Sequence, residues 1–284
     1  MGKIYDALEK SKKERDPSAD APKGSVVNFY EKTVKRDESD DVLKPLKMDH
    51  EVDRNLVTIL KPQSLESEMF KILRGNILFP VSGTPPRSIL VTSAVPGEGK
   101  SFVAANLGAS IAQNINEHVL LMDCDIRKPT VNRILGLGDV PGVAEYLASD
   151  IKLESLFAKT SINKLTVLPG GRPPHNPSEL LSSRKMSELL SELKERYSDR
   201  YVIIDSPPPQ LTAETSAIAR QVDGIILVVK YGETPKEMVA DLVDILGKDK
   251  IIGCVLNWFD LRSSSYYGYG SYGKYGRYGK SYHE

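Results

Sequence analysis
Read as a pattern of apolar and polar positions, the chain falls into four stretches of different character. Residues 3–15 set Ile4, Tyr5 and Leu8 on one helical face with lysines and acids opposite, which predicts a short amphipathic docking helix. Residues 16–53 are polar and mixed in charge and read as a flexible linker. From residue 62 the apolar content rises. Residues 64–79 read as a helix with a Ser64 cap, glutamates in the first turns and basic residues later. Short apolar runs then recur: Ile89-Leu90-Val91, Val119-Leu120-Leu121-Met122, residues 163–168, Val202-Ile203-Ile204, residues 224–229 and residues 251–257. Runs of this length fit strands buried on both faces of a parallel sheet. Helical patterns over 102–113, 141–149, 151–157, 177–197 and 235–246 lie between them. This alternation predicts an α/β fold: a mostly parallel sheet with helices on both faces. The fourth stretch, 262–284, holds Tyr, Gly, Ser and basic residues with no aliphatic side chain, so it reads as a disordered tail. Three segments result: 1–61, amphipathic segment and linker; 62–261, the folded domain; 262–284, the tyrosine-rich tail.

Composition narrows the function classes. The chain has 284 residues, 40% of them hydrophobic, enough for a substantial core. Its formal net charge is zero, which gives no electrostatic footprint for nucleic acid or for a membrane surface. Cys124 and Cys254 have no C-x-x-C spacing, and His50, His118, His175 and His283 are scattered, so a reduced, cytoplasmic protein without a zinc site is expected. Nowhere do eighteen or so apolar residues run together, so membrane association is expected to come through a partner. Asp6 stands where an N-myristoylation pattern wants Ser or Thr.

The chemistry concentrates after the first apolar run. Ala94-Val95-Pro96-Gly97-Glu98-Gly99-Lys100-Ser101 joins a strand to a helix and has the anatomy of a phosphate-binding loop, with Ala94 where the pattern has its first glycine. Successive N–H groups from Pro96–Phe102 would cradle anionic oxygens at a helix N-terminus; Lys100 would reach the β- and γ-phosphates and Ser101 would ligate Mg²⁺. Proline contributes only its place in the turn. Asp123 and Asp125 end the second apolar run, with Arg127 two residues on, and Asp205 ends another. Ligands of open α/β sheets bind at the carboxyl ends of strands, which puts these carboxylates near the loop. Asp205 fits a Walker B metal ligand and Asp125 a second one; Asp123 is the candidate acceptor for a proton. The division between Asp123 and Asp125 stays open at this stage.

Two further features need an account. Glu68, Lys71 and Arg74 are spaced by three on one helix face, either as an internal ion pair or as a stripe that meets a neighbouring subunit. Tyr266, Tyr267, Tyr269, Tyr272, Tyr275, Tyr278 and Tyr282 are seven of the thirteen tyrosines. A Tyr/Gly segment with interspersed bases can self-associate or stack on single-stranded nucleic acid. Tethered to a nucleotide site, a cluster of phenols has the look of a substrate.

On these residues the chain resembles the bacterial tyrosine kinases, the autokinases that regulate capsular and exopolysaccharide export. The resemblance covers 62–284: the loop, the Asp123-Cys124-Asp125-Ile126-Arg127 strand end, Asp205-Ser206-Pro207-Pro208, Asn176-Pro177 with Glu179-Leu180-Leu181, the 253–257 strand and the tyrosine tail. The family's E-x-x-R-x-x-R ring-assembly motif aligns with Glu68, Lys71 and Arg74, lysine replacing the first arginine. The opening Lys3-Ile4-Tyr5-Asp6-Ala7-Leu8-Glu9-Lys10 is similar to an exosortase-associated subgroup. The resemblance implies a P-loop NTPase-like fold, ATP and Mg²⁺, and an adenine contact from Asn257. It also implies a ring-like homo-oligomer whose tails are phosphorylated in trans, a separate membrane-bound chain-length regulator as activator, and a tyrosine phosphatase. Two other classes compete: a septum-positioning or partition ATPase, against which Val95 stands at that group's signature-lysine position, and a nucleotide-gated scaffold with an unmodified tail.

Overall fold
The computed structural model describes residues 52–196, 199–209 and 213–259. The amphipathic segment at 3–15, the polar stretch up to residue 51 and the tyrosine tail lie outside the described residues. The elements in order are α1 (Val57–Leu60), α2 (Leu65–Leu78), β1 (Ser88–Ser93), α3 (Lys100–Ala112), β2 (His118–Asp123), α4 (Val131–Ile134) and α5 (Val143–Ala148). They continue with β3 (Ala158–Lys159), β4 (Leu165–Leu168), α6 (Pro177–Leu181), α7 (Arg184–Arg196), β5 (Arg200–Asp205), α8 (Ala213–Ala219), β6 (Gly224–Lys230), α9 (Lys236–Leu246) and β7 (Ile251–Asn257).

The seven strands form one sheet in the order β3-β4-β2-β5-β1-β6-β7. Every pairing is parallel except the two-residue ladder of β3 on β4. Strands β1 and β5 are apolar on both faces because helices cover both. Alternate residues Ile89, Val91, Leu121 and Ile203 pack under α2 and α3, against Phe70, Val103, Leu107 and Ile111. Their neighbours Leu90, Leu120, Met122 and Ile204 face Leu147, Leu189, Leu193, Ile218 and Leu242 on the other side. This is the doubly covered α/β sheet of a P-loop NTPase. In register, Asp123 of β2 lies beside Asp205 of β5, and Val91 of β1 beside the same Asp205, so three strand ends meet at one rim.

Local chemistry sets the boundaries. The Ser64 Oγ accepts from the Ser67 N–H at 3.2 Å and caps α2, with Glu66 and Glu68 in its first turn, as the sequence pattern predicts. The helix expected over 177–197 is instead two. α6 stops at Leu181, and the Ser183 Oγ accepts from the Met186 N–H at 3.2 Å, so a serine inside the apolar periodicity starts a new helix rather than continuing the old one. The packed unit also begins before residue 62. Leu56 is fully buried, Asp53 N–H bonds Ile134 O, and Asn106 of α3 accepts from both the N–H and the hydroxyl of Thr58. α4, α8 and β3 are too short for periodicity to reveal them. Among the described residues no helix is long and apolar enough to cross a membrane.

Candidate active site
The loop after β1 is held from within. Gly97 and Gly99 have φ of +85° and +95°, a left-handed backbone that side chains resist. At Gly99 there is no room either, since a Cβ would lie 2.1 Å from Asn257 Nδ2. Glu98, one of the expected nucleotide-binding residues, turns its side chain inward and is fully buried. Its Oε2 accepts from Val95 N–H at 2.9 Å, and its Oε1 accepts from Lys230 N–H at 3.2 Å and from the Thr234 hydroxyl. Only its main chain is left for a phosphate, while the carboxylate braces the loop against the end of β6. Asn257, the expected adenine contact, donates from Nδ2 to Glu98 O at 2.7 Å and braces the same loop from β7. The Phe102 ring packs edge-on against Phe70, 5.7 Å between centroids, away from the mouth of the loop. Pro96 is exposed at the tip.

α3 starts at Lys100, directly after Gly99, so its unpaired N–H groups and positive end face the loop. Lys100 is only 7% exposed, among the carboxylates of neighbouring strands. Asp205 is fully buried, and neither of its oxygens has a hydrogen-bond partner of standard geometry. Burial pushes its pKa up to about 7; the Lys100 ammonium and the nearby Ser101 hydroxyl oppose the rise, and Asp125 adds to it. A buried carboxylate with no standard hydrogen bond, beside a serine hydroxyl at a phosphate loop, fits a hard divalent cation, which P-loop proteins hold with few protein ligands and the substrate's own phosphates. Among the described residues no three His, Cys, Asp or Glu side chains form a ready-made metal cage.

The two aspartates of β2 separate in their surroundings. Asp123 is fully buried; its Oδ1 accepts from Asp125 N–H at 3.0 Å and its Oδ2 from Thr130 N–H at 3.0 Å and Val131 N–H at 3.1 Å. Burial, and then Asp205, raise its pKa well above the usual carboxylate range, with the Val131 and Thr130 N–H groups pulling the other way. Those three bonds fold the 123–131 turn around it. Asp125 is half-buried at the rim; burial raises its pKa, against the Lys100 ammonium.

Arg127 does not stand free. Its Nη2 donates to Ser178 Oγ at 2.5 Å and to Glu214 Oε1 at 3.0 Å, and Ser178 Oγ itself donates to Glu214 at 3.0 Å. Glu214 is buried, so the ion pair is a fixed link between the β2 turn, α6 and α8. Sequence reasoning missed Glu214 and Ser178, because α8 carries no legible pattern and nothing local marks a partner 87 residues away. Of the stripe on α2, Lys71 Nζ pairs with Glu68 at 2.7 Å, whereas Arg74 reaches across to Ser110 O of α3 at 2.8 Å. The seven tail tyrosines lie outside the described residues.

Comparison with known proteins accords with this geometry. Residues 89–267 match the CobQ/CobB/MinD/ParA nucleotide binding domain. The tyrosine-protein kinase YwqD of Bacillus subtilis is 38% identical over 220 residues, 77% of this chain and 92% of that protein. The chain belongs to the bacterial tyrosine-protein kinase family. The family's tyrosine-protein kinase wzc of Salmonella typhimurium is 33% identical over 76% of this chain, a match to 30% of that longer protein. Among solved structures, the kinase domain of Escherichia coli tyrosine kinase ETK superposes with a TM-score of 0.68 at 29% identity, covering 76% of this chain and 84% of that one. The septum site-determining protein MinD of Pyrococcus horikoshii, solved with Mg-ADP, shares the fold alone at 24% identity and a TM-score of 0.51, over 60% of this chain and 69% of that one.

Proposed function
We propose that this protein is a protein-tyrosine kinase that moves the γ-phosphoryl group of ATP onto the terminal tyrosines of a neighbouring copy, and so regulates exopolysaccharide or capsule synthesis and export. One observation carries the reading: in a chain of the tyrosine-kinase family, a braced phosphate loop with buried Lys100 meets three carboxylates at the adjoining strand ends. The N–H groups of 97–102 bind the phosphates, and Lys100 neutralises charge on the β- and γ-oxygens. Ser101 and Asp205 would hold Mg²⁺, which when bound withdraws charge from the phosphate oxygens. A tail phenol attacks the γ-phosphorus; the bond to the β-bridging oxygen breaks and ADP leaves. A phenol has a pKa near 10, so its proton needs an acceptor as attack proceeds. The sequence suggests Asp123 as acceptor and Asp125 as a second metal ligand; the surroundings favour a different division, with half-buried Asp125 at the rim taking the proton and Asp123, both oxygens held by main-chain donors, positioning it. Arg127, neutralised by Glu214, keeps the turn in place.

The tail acts in trans in a ring-like homo-oligomer in which α2, with Glu68, Lys71 and Arg74, contributes to the contact between copies. A neighbouring site then meets the tail at high effective concentration. Each added phosphate carries about −1.5 to −2 charges, so a fully modified tail repels its neighbours and favours disassembly, and a tyrosine phosphatase resets the cycle. The protein works in the cytoplasm and reaches the membrane through a separate chain-length regulator that activates it. The likeness of its opening residues 3–10 to the exosortase-associated kinases supports a place in that subgroup. With residues 52–61 packed into the folded unit, the kinase domain would run from 52 to 261, preceded by a docking segment and linker and followed by the substrate tail at 262–284.

Mixing a full-length Lys100→Met chain with an active chain lacking 262–284 tests the central claim with Mg·ATP and the activator present. Phosphotyrosine is expected on the inactive partner's tail. Its absence, while the full-length active protein still labels itself, would refute transfer between copies.

A further inference from the structure
The rim of the loop opposite the carboxylates carries an aromatic group with no part in the chemistry above. Trp258, the first residue after β7, is 66% exposed and has a φ of +62°, a left-handed backbone that a bulky residue rarely adopts. Its indole Nε1 lies 3.9 Å from where a Cβ of Gly99 would stand, so the ring adjoins the phosphate loop itself. The Lys230 ammonium sits 5.1 Å from the ring centroid and is tied by Glu233 at 2.7 Å. Beside it, Tyr231 and Phe259 pack edge-to-face, 4.7 Å between centroids. The main chain is fixed as well: Tyr231 N–H bonds Asn257 O at 2.9 Å, and Asn257 and Lys230 are both bound to Glu98. A strained, solvent-facing tryptophan on so rigid a seat is expected where a ligand uses it.

The sheet order says which part of a ligand that is. β1 and its loop lie between β5-β2 on one side and β6-β7 on the other. The carboxylates, which mark the end where phosphoryl transfer occurs, are on β2 and β5; Trp258 follows β7. A nucleotide whose terminal phosphate faces Asp125 must extend its other end toward β6-β7. We infer that Trp258 is the nucleobase platform of this protein: its indole stacks on the base of the bound nucleotide, with the Lys230 side chain holding the ring in place. Asn257, engaged by Glu98 O, acts by shaping the loop and seating Trp258. The inference rests on the nucleotide reading of the loop and extends it to the base.

The chain contains a single tryptophan, so its fluorescence reports on this position alone. In the full-length protein, excited at the red edge of the indole band, ADP is expected to quench saturably. Inorganic pyrophosphate, which fills the phosphate cradle without a base, is expected to leave the emission nearly unchanged. Trp258→Leu is expected to weaken ADP binding about tenfold with pyrophosphate affinity preserved, and Trp258→Phe to restore most of the loss. Preserved pyrophosphate binding also shows that the variants fold. Equal spectral effects of ADP and pyrophosphate would overturn the platform, as would an unchanged spectrum while ADP still displaces a fluorescent ADP analogue. Quenching by a tyrosine-containing tail peptide but not by ADP would overturn it in favour of a phenol-binding role. If the analogue does not bind wild-type protein at all, the nucleotide reading falls and the platform with it.

Discussion

At the scale of single residues, the site is organised around carboxylates in unequal surroundings. Asp123 is buried but accepts three main-chain hydrogen bonds, whereas Asp205 is equally buried and accepts none of standard geometry. For Asp205 the cost of burial outweighs the Lys100 ammonium and the Ser101 hydroxyl, and such a carboxylate destabilises the fold until a divalent cation arrives. Asp205→Asn is therefore expected to raise the melting temperature of the nucleotide-free protein by about 4 °C at pH 8 and to abolish magnesium-dependent tail phosphorylation; differential scanning calorimetry and phosphotyrosine mass analysis check the two halves. An unchanged or lowered melting point would mean that Asp205 is already satisfied. Gly99→Ala meets both the positive φ and the Asn257 amide, so nucleotide affinity is expected to fall by at least about tenfold, measured by calorimetric titration.

At the scale of elements, the features that decide the site are ends rather than middles. The start of α3, the carboxyl ends of β1, β2 and β5, the ends of β6 and β7 that brace the loop, and the short helices α6 and α8 supply the groups of the site among the described residues. The α6-α7 break is one such end, and it brings Ser178 up to Arg127 while α7 runs off along the sheet. Removing the cap with Ser183→Ala is expected to cost about 1 kcal/mol in chemical denaturation, with catalysis at saturating ATP little changed. A large loss of catalysis at unchanged stability would place Ser183 in the site instead.

At the scale of the whole molecule, one carboxylate ties distant parts of the chain at the opposite end of the sheet. Asp223 accepts from the N–H groups of Arg87 and Ser88 at 3.1 and 2.9 Å and from Lys194 at 2.6 Å, joining the starts of β1 and β6 to α7. Burial works against its charged form, but Lys194 and Ser88 outweigh burial and hold its pKa below the ordinary aspartate value. A carboxyl depressed in the folded state contributes stability that is fully present above its unfolded pKa of about 4 and is lost as pH falls through the folded value. Asp223→Asn is thus expected to be less stable than wild type by about 1–2 kcal/mol at pH 7, with the gap narrowing in urea melts as pH falls below the unfolded value of about 4. A gap independent of pH would assign the loss to packing.

The alternation of short apolar runs with helical periods was enough to specify a doubly covered parallel sheet, because strands buried on both faces leave a continuous apolar signature. The phosphate loop was equally legible, since glycine, lysine and serine at fixed spacing are what close approach to phosphate demands and all lie within eight residues. Asp123, Asp125, Arg127 and Asp205 could be named from their places at strand ends. The surroundings of each were decided only by tertiary structure. The inward turn of Glu98, the Glu214 partner of Arg127, the saturation of Asp123 against the orphaned oxygens of Asp205, and the seating of Trp258 beside Gly99 join residues far apart in the chain. Local pattern records which face of an element is apolar. It holds no record of which strand end lies beside which, and that adjacency fixes burial, hydrogen-bond supply and charge at the site.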